Sequence, residues 1–161
     1  MIIRRATEAD VKLLAELNQD VQRIHAEALP DWFKQPNQVD AVAVDFATRI
    51  LGDTQEYVYI AEVNGEAVGY ICARRVERPE NPYTYAQTLM LIDQISVKPR
   101  FQGCGCGRKL IQTVVDLAMT NESKRVILDT YAFNTQAQGF FGEMGFARIS
   151  MRYQMALDFN T

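Results

Sequence analysis

The chain has 161 residues, of which 48% are hydrophobic and 23% charged, and its formal net charge is −3. These proportions are those of an ordinary globular protein, and the length suits one domain over residues 1–161. The acidic balance argues against nucleic acid as a partner, because binding to phosphates relies on clustered lysine and arginine. The N-terminus lacks the apolar core of a signal peptide, and no run of about 18 apolar residues occurs, so we expect a cytoplasmic protein without a membrane segment.

Cysteine and histidine usage argues against disulfides and metal. The three cysteines, Cys72, Cys104 and Cys106, leave one thiol unpaired in any disulfide scheme, and Cys-x-Cys is too close for an ordinary bridge. The only histidine, His25, is far from them in sequence. The sequence therefore predicts reduced cysteines and no metal site.

The first third of the chain predicts a strand followed by two helices. Residues 2–4 form a short strand, and residues 7–10 resemble a capping box in which Asp replaces the usual Glu. Apolar residues then recur at spacings of three and four over residues 11–28, which is typical of an amphipathic helix. A second helix is expected over residues 39–51, ended by Gly52.

The middle of the chain predicts antiparallel strands. Residues 57–63 and 66–76 are separated by Asn64-Gly65, which is the strongest short-range hairpin signal. A third strand over residues 83–97 is rich in β-branched and aromatic residues and should pair antiparallel with its predecessor.

The remaining chain predicts two helices and two strands. A helix runs from about residue 107 to 120, a strand covers 125–131, a helix covers 135–144, and a last strand over 146–157 closes the sheet. The strand–helix–strand passage implies a parallel pair. The whole order predicts an α+β fold with a mixed, mostly antiparallel central sheet flanked by helices.

A glycine-rich loop separates the third strand from the following helix: Gln102, Gly103, Cys104, Gly105, Cys106 and Gly107. Its missing side chains allow backbone N–H groups to approach a phosphate, and the helix dipole there favours negative charge. The P-loop is excluded because Gly107 is followed by Arg108-Lys109, and no starting glycine gives G-x-G-x-x-G. The loop therefore predicts an anion site of another kind.

Two segments resemble the signatures of the GNAT superfamily of acetyltransferases. Gln102-x-x-Gly105-x-Gly107 resembles its acetyl-CoA pattern, Gln/Arg-x-x-Gly-x-Gly/Ala. The family's Asn-x-x-Ala-x-x-x-Tyr-x-x-x-Gly-Phe segment is similar to a set near the C-terminus: Asn134, Ala137, Phe141, Gly145 and Phe146. The element order matches as well, so the resemblance covers nearly the whole chain. It implies an acetyl-CoA-dependent N-acetyltransferase that acts on a primary amine of a small molecule or peptide, by direct transfer in a ternary complex.

The resemblance also implies how acetyl-CoA is held, without a metal. The backbone of Ile95 and Val97 would pair with the pantetheine arm like an added strand, and the pyrophosphate would rest on N–H groups of residues 103–108. Asn134 would bind the pantetheine side, and Arg108 would be a charged partner. The expected cofactor-binding set is Ile95, Ser96, Val97, Gln102, Gly103, Cys104, Gly105, Cys106, Gly107, Arg108, Asn134 and Phe141.

The loop cysteines allow two interpretations. Cys104 and Cys106 are small enough to fit a cradle made by the backbone, which is the interpretation we favour. A helix N-terminus can lower the pKa of a thiol, so a redox role is the alternative.

For catalysis, the family often places a carboxylate on the strand before the loop, and Asp93 is the matching general base. The alternatives are an Asp that faces solvent or pairs with an arginine, and a β-bulge would change its face. Phe141 stands where the family commonly has a proton-donating tyrosine, and a phenyl ring cannot donate a proton. Tyr131 or a water could replace it, although Tyr131 also suits packing at a strand end.

The acceptor side is implied to lie in the first two helices and their connector, which nominates His25, Trp32, Phe33 and Tyr83. A lone histidine near a helix end is more often a surface residue, and the connector's aromatics could equally cover the core. The alternative function is a non-catalytic CoA-binding regulatory module, for which Phe141 is the main indication. An exposed edge strand over residues 146–157 would also allow a homodimer.

Overall fold

The computed structural model describes residues 1–52 and 56–157. It contains two compact units, Met1–Asp129 and Thr130–Thr161. Nowhere in the described ranges is a helix both long enough and apolar enough to cross a bilayer.

The first unit is built on a mixed sheet. Its described residues form five strands in the order of the chain: β1 (Ile2–Arg5), β2 (Glu56–Val63), β3 (Glu66–Arg78), β4 (Gln87–Val97) and β5 (Arg125–Leu128). Neighbouring strands are antiparallel except β4 and β5, which are parallel. The predicted mixed, mostly antiparallel sheet is confirmed.

Helices cover both faces of this sheet: α1 (Val11–Ala28), α2 (Val39–Leu51) and α3 (Cys106–Thr120). On one face α1 and α2 pack over a buried cluster that includes Leu14, Phe46 and Tyr70. Because side chains alternate along a strand, Ile71 points to the opposite face, which α3 covers. The second unit contains α4 (Thr135–Glu143).

The predicted hairpin is confirmed, and two strand ends differ from prediction by three residues or more. Asn64 and Gly65 have φ of 52° and 80°, as a tight hairpin turn requires. β4 begins at Gln87 rather than at Tyr83, because the Asn81 side chain accepts hydrogen bonds from the N–H groups of Tyr83 and Thr84 and holds them in a turn. β5 ends at Leu128, three residues before the predicted end at residue 131.

The predicted last strand is not formed: among the described residues, 146–157 have no strand assignment. The segment exposes an alternating set of large apolar side chains: Ile149, Met151, Tyr153, Met155 and Leu157. The period of two indicates which side chains share a face, but a strand also needs a neighbour for its backbone groups. The strand-mediated homodimer stays a prediction.

Ion pairs of Arg4 connect β1 to the residues just before α1. The Arg4 guanidinium donates to both carboxylate oxygens of Asp10 at 2.8 Å, and its Nε donates to Glu62 at 2.7 Å. Asp10 also accepts from the Thr7 backbone N–H at 2.8 Å, as the predicted capping box requires. Asp10 is nearly buried, and the hydrogen bonds from Arg4 hold its pKa well below the usual range.

We expect Asp10→Asn to lower the free energy of unfolding by about 1.5–3 kcal/mol at pH 7, the range for hydrogen bonds to a charged group. Since an unfolded Asp titrates near pH 3.9, the wild-type stabilisation is full above about pH 5 and is lost as pH falls towards the lower folded-state pKa. The variant should lack this contribution. Urea unfolding between pH 3 and pH 7 measures both effects.

Asp20→Asn is the matched control, because among the described residues Asp20 makes only an exposed pair with Arg23 within α1. It should cost less than about 0.5 kcal/mol. Equal losses in the two variants would contradict the role given to Asp10.

Candidate active site

The C-terminal end of β4 has an open edge. Its pairing with β5 ends at Ile92 and Leu128, so over residues 93–97 the described strands flank β4 only on the β3 side. Lys98 donates its N–H to Val68 in β3, at 2.8 Å. Because backbone groups alternate in direction along a strand, Ile95 and Val97 direct their N–H and C=O groups to the open edge. The predicted backbone contacts with pantetheine require this arrangement.

Close packing against β3 holds this part of β4. A Cβ atom on Gly69 would lie 2.6 Å from the Ser96 carbonyl oxygen and 3.2 Å from the Val97 Cα. The hydroxyl of Ser96 donates to the Leu17 carbonyl of α1 at 3.3 Å. Ser96, predicted to bind cofactor, thus directs its side chain to α1 and its backbone to β3.

A β-bulge places Asp93. Cys72 pairs with Gln94 and Ala73 with Ile92, so Asp93 is an extra residue in β4. Its carboxylate lies 3.1 Å from Arg74 Nε and 3.5 Å from an Arg49 nitrogen of α2. Asp93 therefore lies on the face that α1 and α2 cover. Ile95, which simple alternation puts on the same side as Asp93, points to the α3 face instead.

The two arginines give Asp93 the pairing foreseen as the alternative to catalysis. Arg49 also contacts Asp45 at 2.9 Å and Glu56 at 3.3 Å. Its guanidinium therefore forms ion pairs with three carboxylates, including that of Asp93. The sequence analysis did not anticipate either arginine. Arg49 lies one turn after Asp45 on α2, but no local pattern indicates that α2 packs beside the bulge.

The glycine-rich loop forms a row of backbone N–H groups at the start of α3. Gly103 and Gly105 have φ of 76° and 83°, and α3 begins at Cys106. The first helical hydrogen bond runs from Lys109 N–H to the Gly105 carbonyl, at 3.0 Å. Within the described ranges, the N–H groups of residues 103–108 donate to no backbone carbonyl. Left-handed residues next to a helix N-terminus are typical of an anion-binding concavity.

Side chains of the loop differ in exposure. Cys106 is buried, and burial raises the pKa of its thiol, which disfavours the redox interpretation for this residue. Cys104 and Arg108 are exposed. The Gln102 side chain donates to the Val97 carbonyl at 3.1 Å and so links the loop to the open edge of β4.

The residues nominated for the acceptor are only partly brought together. His25 Nδ1 lies 2.7 Å from the Val21 carbonyl, and its ring centroid is 4.9 Å from that of Phe33. Trp32 is 59% exposed in the connector. Tyr83 is 94% exposed on the turn between β3 and β4.

The sequence analysis did not predict a buried polar network formed by Asn18, Tyr70 and Gln94. The Tyr70 hydroxyl donates to Gln94 Oε1 at 2.8 Å and accepts from Asn18 Nδ2 at 2.8 Å. Asn18 Nδ2 also lies 3.3 Å from Gln94 Oε1. Tyr70 is fully buried, and burial raises its pKa. The sequence signal that could have indicated this network is Asn18, a polar residue next to the apolar stripe of α1.

The second unit holds the remaining predicted residues. Asn134 Oδ1 accepts from the Ala137 N–H at 3.1 Å and thereby caps α4. The Phe141 ring packs against Phe140 and Phe146, with centroids 5.5 and 6.0 Å away. Tyr131 stacks on Phe133 at 5.8 Å.

Comparison with known proteins establishes the family. The family model described as Acetyltransferase (GNAT) family matches residues 18–146, which is most of the chain. The chain belongs to the GNAT family. It is thus an acetyltransferase, and the resemblance in the loop and in the segment after Asn134 is confirmed at the level of the family.

Individual relatives and solved structures are also similar to this chain. The chain is 26% identical over 129 residues to a 5-NmdU N-acetyltransferase of Pseudomonas phage PaMx11, covering 74% of this chain and 84% of the relative. A Bacillus halodurans protein solved as a tetramutant superposes with a TM-score of 0.91 at 23% identity, covering 98% and 100% of the two chains. An aminoglycoside N-acetyltransferase solved with CoA gives 0.73 at 19%, covering 97% and 93%. At these identities the two structures show the shared fold.

We expect Gly69→Ala to lower the free energy of unfolding by about 1–3 kcal/mol, because the added methyl group overpacks the β3–β4 contact. Gly139→Ala is the control, because it adds the same methyl group within α4, where the new Cβ atom would meet no atom within 4 Å. It should raise the free energy of unfolding by about 0.5–1 kcal/mol. Urea unfolding measures both. A neutral Gly69→Ala would show that β4 has room to move away from β3.

Proposed function

We propose that this protein is an acetyl-CoA-dependent N-acetyltransferase that moves the acetyl group to a primary amine of a small molecule or peptide in a ternary complex. The observation that carries the proposal is the open edge of β4, which leads directly into the glycine-rich loop at the start of α3. An edge of this kind can pair with an extended amide-containing arm, and the loop can bind the anionic group at its end. These are the two features of acetyl-CoA that a site must hold.

The residues for acetyl-CoA follow from this arrangement. Ile95 and Val97 would pair with the pantetheine amides, and the N–H groups of residues 103–108 would bind the pyrophosphate. The exposed Arg108 would add a positive charge beside it. Because Asn134 Oδ1 already caps α4, its cofactor contact would fall to Nδ2.

In the proposed reaction, a neutral amine attacks the thioester carbonyl. The new N–C bond forms, the C–S bond breaks, the nitrogen loses a proton, and CoA leaves as thiolate. Asp93 would accept the proton, directly or through a water, since the bulge puts its carboxylate on the sheet face that α1 and α2 cover. Phe141 supplies no proton, but a thiol pKa near 8.5 makes the thiolate a tolerable leaving group.

The second candidate is a regulatory module that binds CoA without catalysis, and Phe141 in place of a tyrosine favours it. Thiol release from acetyl-CoA across a panel of primary amines, with calorimetry of acetyl-CoA binding, separates the two. Turnover with an amine supports the enzyme, and binding without turnover supports the module. Absence of acetyl-CoA binding would overturn both.

We expect Gly105→Val to weaken acetyl-CoA binding at least tenfold, because a β-branched residue resists φ of 83° and would disturb the row of N–H groups. Gly65→Val is the matched control. Gly65 has φ of 80° in the β2–β3 turn, and a Cβ atom added at either glycine would meet no atom within 4 Å. The backbone strain is therefore comparable in the two variants, but in Gly65→Val it lies outside the loop. Calorimetry with each purified variant measures the dissociation constant. Similar affinities in both variants would contradict the loop assignment.

We expect Asp93→Asn to lower kcat/KM by about 10²-fold or more, the usual contribution of a general base. Asp45→Asn is the matched control, because it also removes a carboxylate from Arg49 but lies on α2. It should stay within about threefold of wild type. If Asp93→Asn also stays within threefold, Asp93 is an ion-pair residue only. Thiol release with the best amine of the panel gives both values.

A further inference from the structure

We propose that Arg74 blocks Asp93 until the acceptor binds: its guanidinium group occupies the carboxylate, and the ammonium group of the acceptor displaces it to reach the base. This inference rests on the proposed function and adds a residue that controls access to the proposed base. It also narrows the acceptor to amines that arrive protonated. Aliphatic amines do so near neutral pH, because the pKa of a lysine-type amine is about 10.4.

Arg74 engages both oxygens of the Asp93 carboxylate. Its Nε lies 3.3 Å from Oδ1 and 3.1 Å from Oδ2. An Arg49 nitrogen lies 3.5 Å from Oδ2. Because the Asp93 side chain is only 21% exposed, few positions around the carboxylate are left for a further cation. An ammonium group that transfers its proton to Asp93 therefore has to take a position that Arg74 holds.

The two arginines differ in how firmly they are held. The Arg49 side chain is 22% exposed and also contacts Asp45 at 2.9 Å and Glu56 at 3.3 Å. The Arg74 side chain is 44% exposed and, within the described ranges, forms an ion pair only with Asp93. Exposed ion pairs are weak, because water competes for both groups. Arg74 is therefore the partner that can leave, while Arg49 keeps the carboxylate in place.

The course of β3 gives the Arg74 side chain room to move. Tyr70, Cys72 and Arg74 point to the same face of the sheet, because side chains alternate along a strand. Tyr70 and Cys72 belong to the buried cluster on that face, whereas Arg74 is partly exposed at its border. Rotation about its side-chain bonds can turn the guanidinium to solvent while the backbone of β3 stays in place.

Charge balance decides what can replace Arg74. Three carboxylates, those of Asp45, Glu56 and Asp93, share two guanidinium groups. Loss of Arg74 without a replacement would leave three negative charges with one positive charge, and like charges repel strongly where they are partly buried. An ammonium group restores the balance, and a neutral amine does not. One N–H bond of the ammonium then breaks as an O–H bond forms on Asp93, which leaves the neutral amine that attacks the thioester.

Kinetics of Arg74→Met test the proposal. The variant should lower KM for the best amine of the panel by about two- to fivefold without lowering kcat, as expected when an exposed ion pair no longer competes with the amine. Arg78→Met is the matched control, because it removes the same charge from an exposed position at the end of β3 and should leave KM unchanged. Combined with Asp93→Ala, Arg74→Met should no longer change KM. An equal or higher KM in Arg74→Met, or an equal fall in Arg78→Met, would overturn the proposal.

NMR spectroscopy tests the displacement without turnover. The Nε–H signal of Arg74 is identified by its loss in Arg74→Met. Butylammonium chloride should shift this signal towards its position in Asp93→Ala, where the ion pair is absent. Tetramethylammonium chloride at the same ionic strength should not, because it has no N–H to donate to a carboxylate. An Arg74 signal that responds equally to the two salts would overturn the proposal.

The two measurements separate this inference from the proposed function. If no amine is acetylated but butylammonium alone shifts the Arg74 signal, control of access to Asp93 stands and the proposed transfer to amines fails. If an amine is acetylated but the signal does not distinguish the two salts, acetyl transfer stands and the role given to Arg74 is wrong.

Discussion

The proposed function of this chain depends on a strand that continues after its neighbour has ended. β4 pairs with β5 only as far as Ile92, while β3 follows it to Val97. Backbone N–H and C=O groups that lack a partner must find one elsewhere, and an extended ligand with amides of its own can supply it. The contact at Gly69 matters for this reason: by holding β4 tightly on one side, it leaves the other side fixed and open.

The bulge at Asp93 adds chemistry to this edge. By inserting one residue, it places the side chains of Asp93 and Gln94 on the same sheet face, where simple alternation would separate them. Asp93 pairs with Arg49 of α2 and Arg74 of β3. Gln94 belongs to the buried network with Asn18. Two polar systems of different kind, one charged and one neutral, thus meet at neighbouring residues of β4.

Much of the fold could be predicted, because its signals are local. Helix periodicity, the Asn64-Gly65 turn and the glycine loop each depend on residues close in sequence, and all appear in the structure. The strand expected over residues 146–157 failed because alternation is necessary for a strand but does not provide a neighbour. The sequence identified Asp93 as a candidate general base. Its partners Arg49 and Arg74 could not be predicted, because they belong to other elements of the fold.

The sequence by itself determined the family, the order of the elements as far as α4, and the loop whose N–H groups suit an anion. Left-handed glycines before a helix have this property wherever they occur, because it depends on the backbone alone. The tertiary structure decided which edge of β4 is open, which arginines meet Asp93, and that Asn18, Tyr70 and Gln94 form one network. These contacts join residues distant in sequence, and only the packing of helices on the sheet brings them within hydrogen-bonding distance.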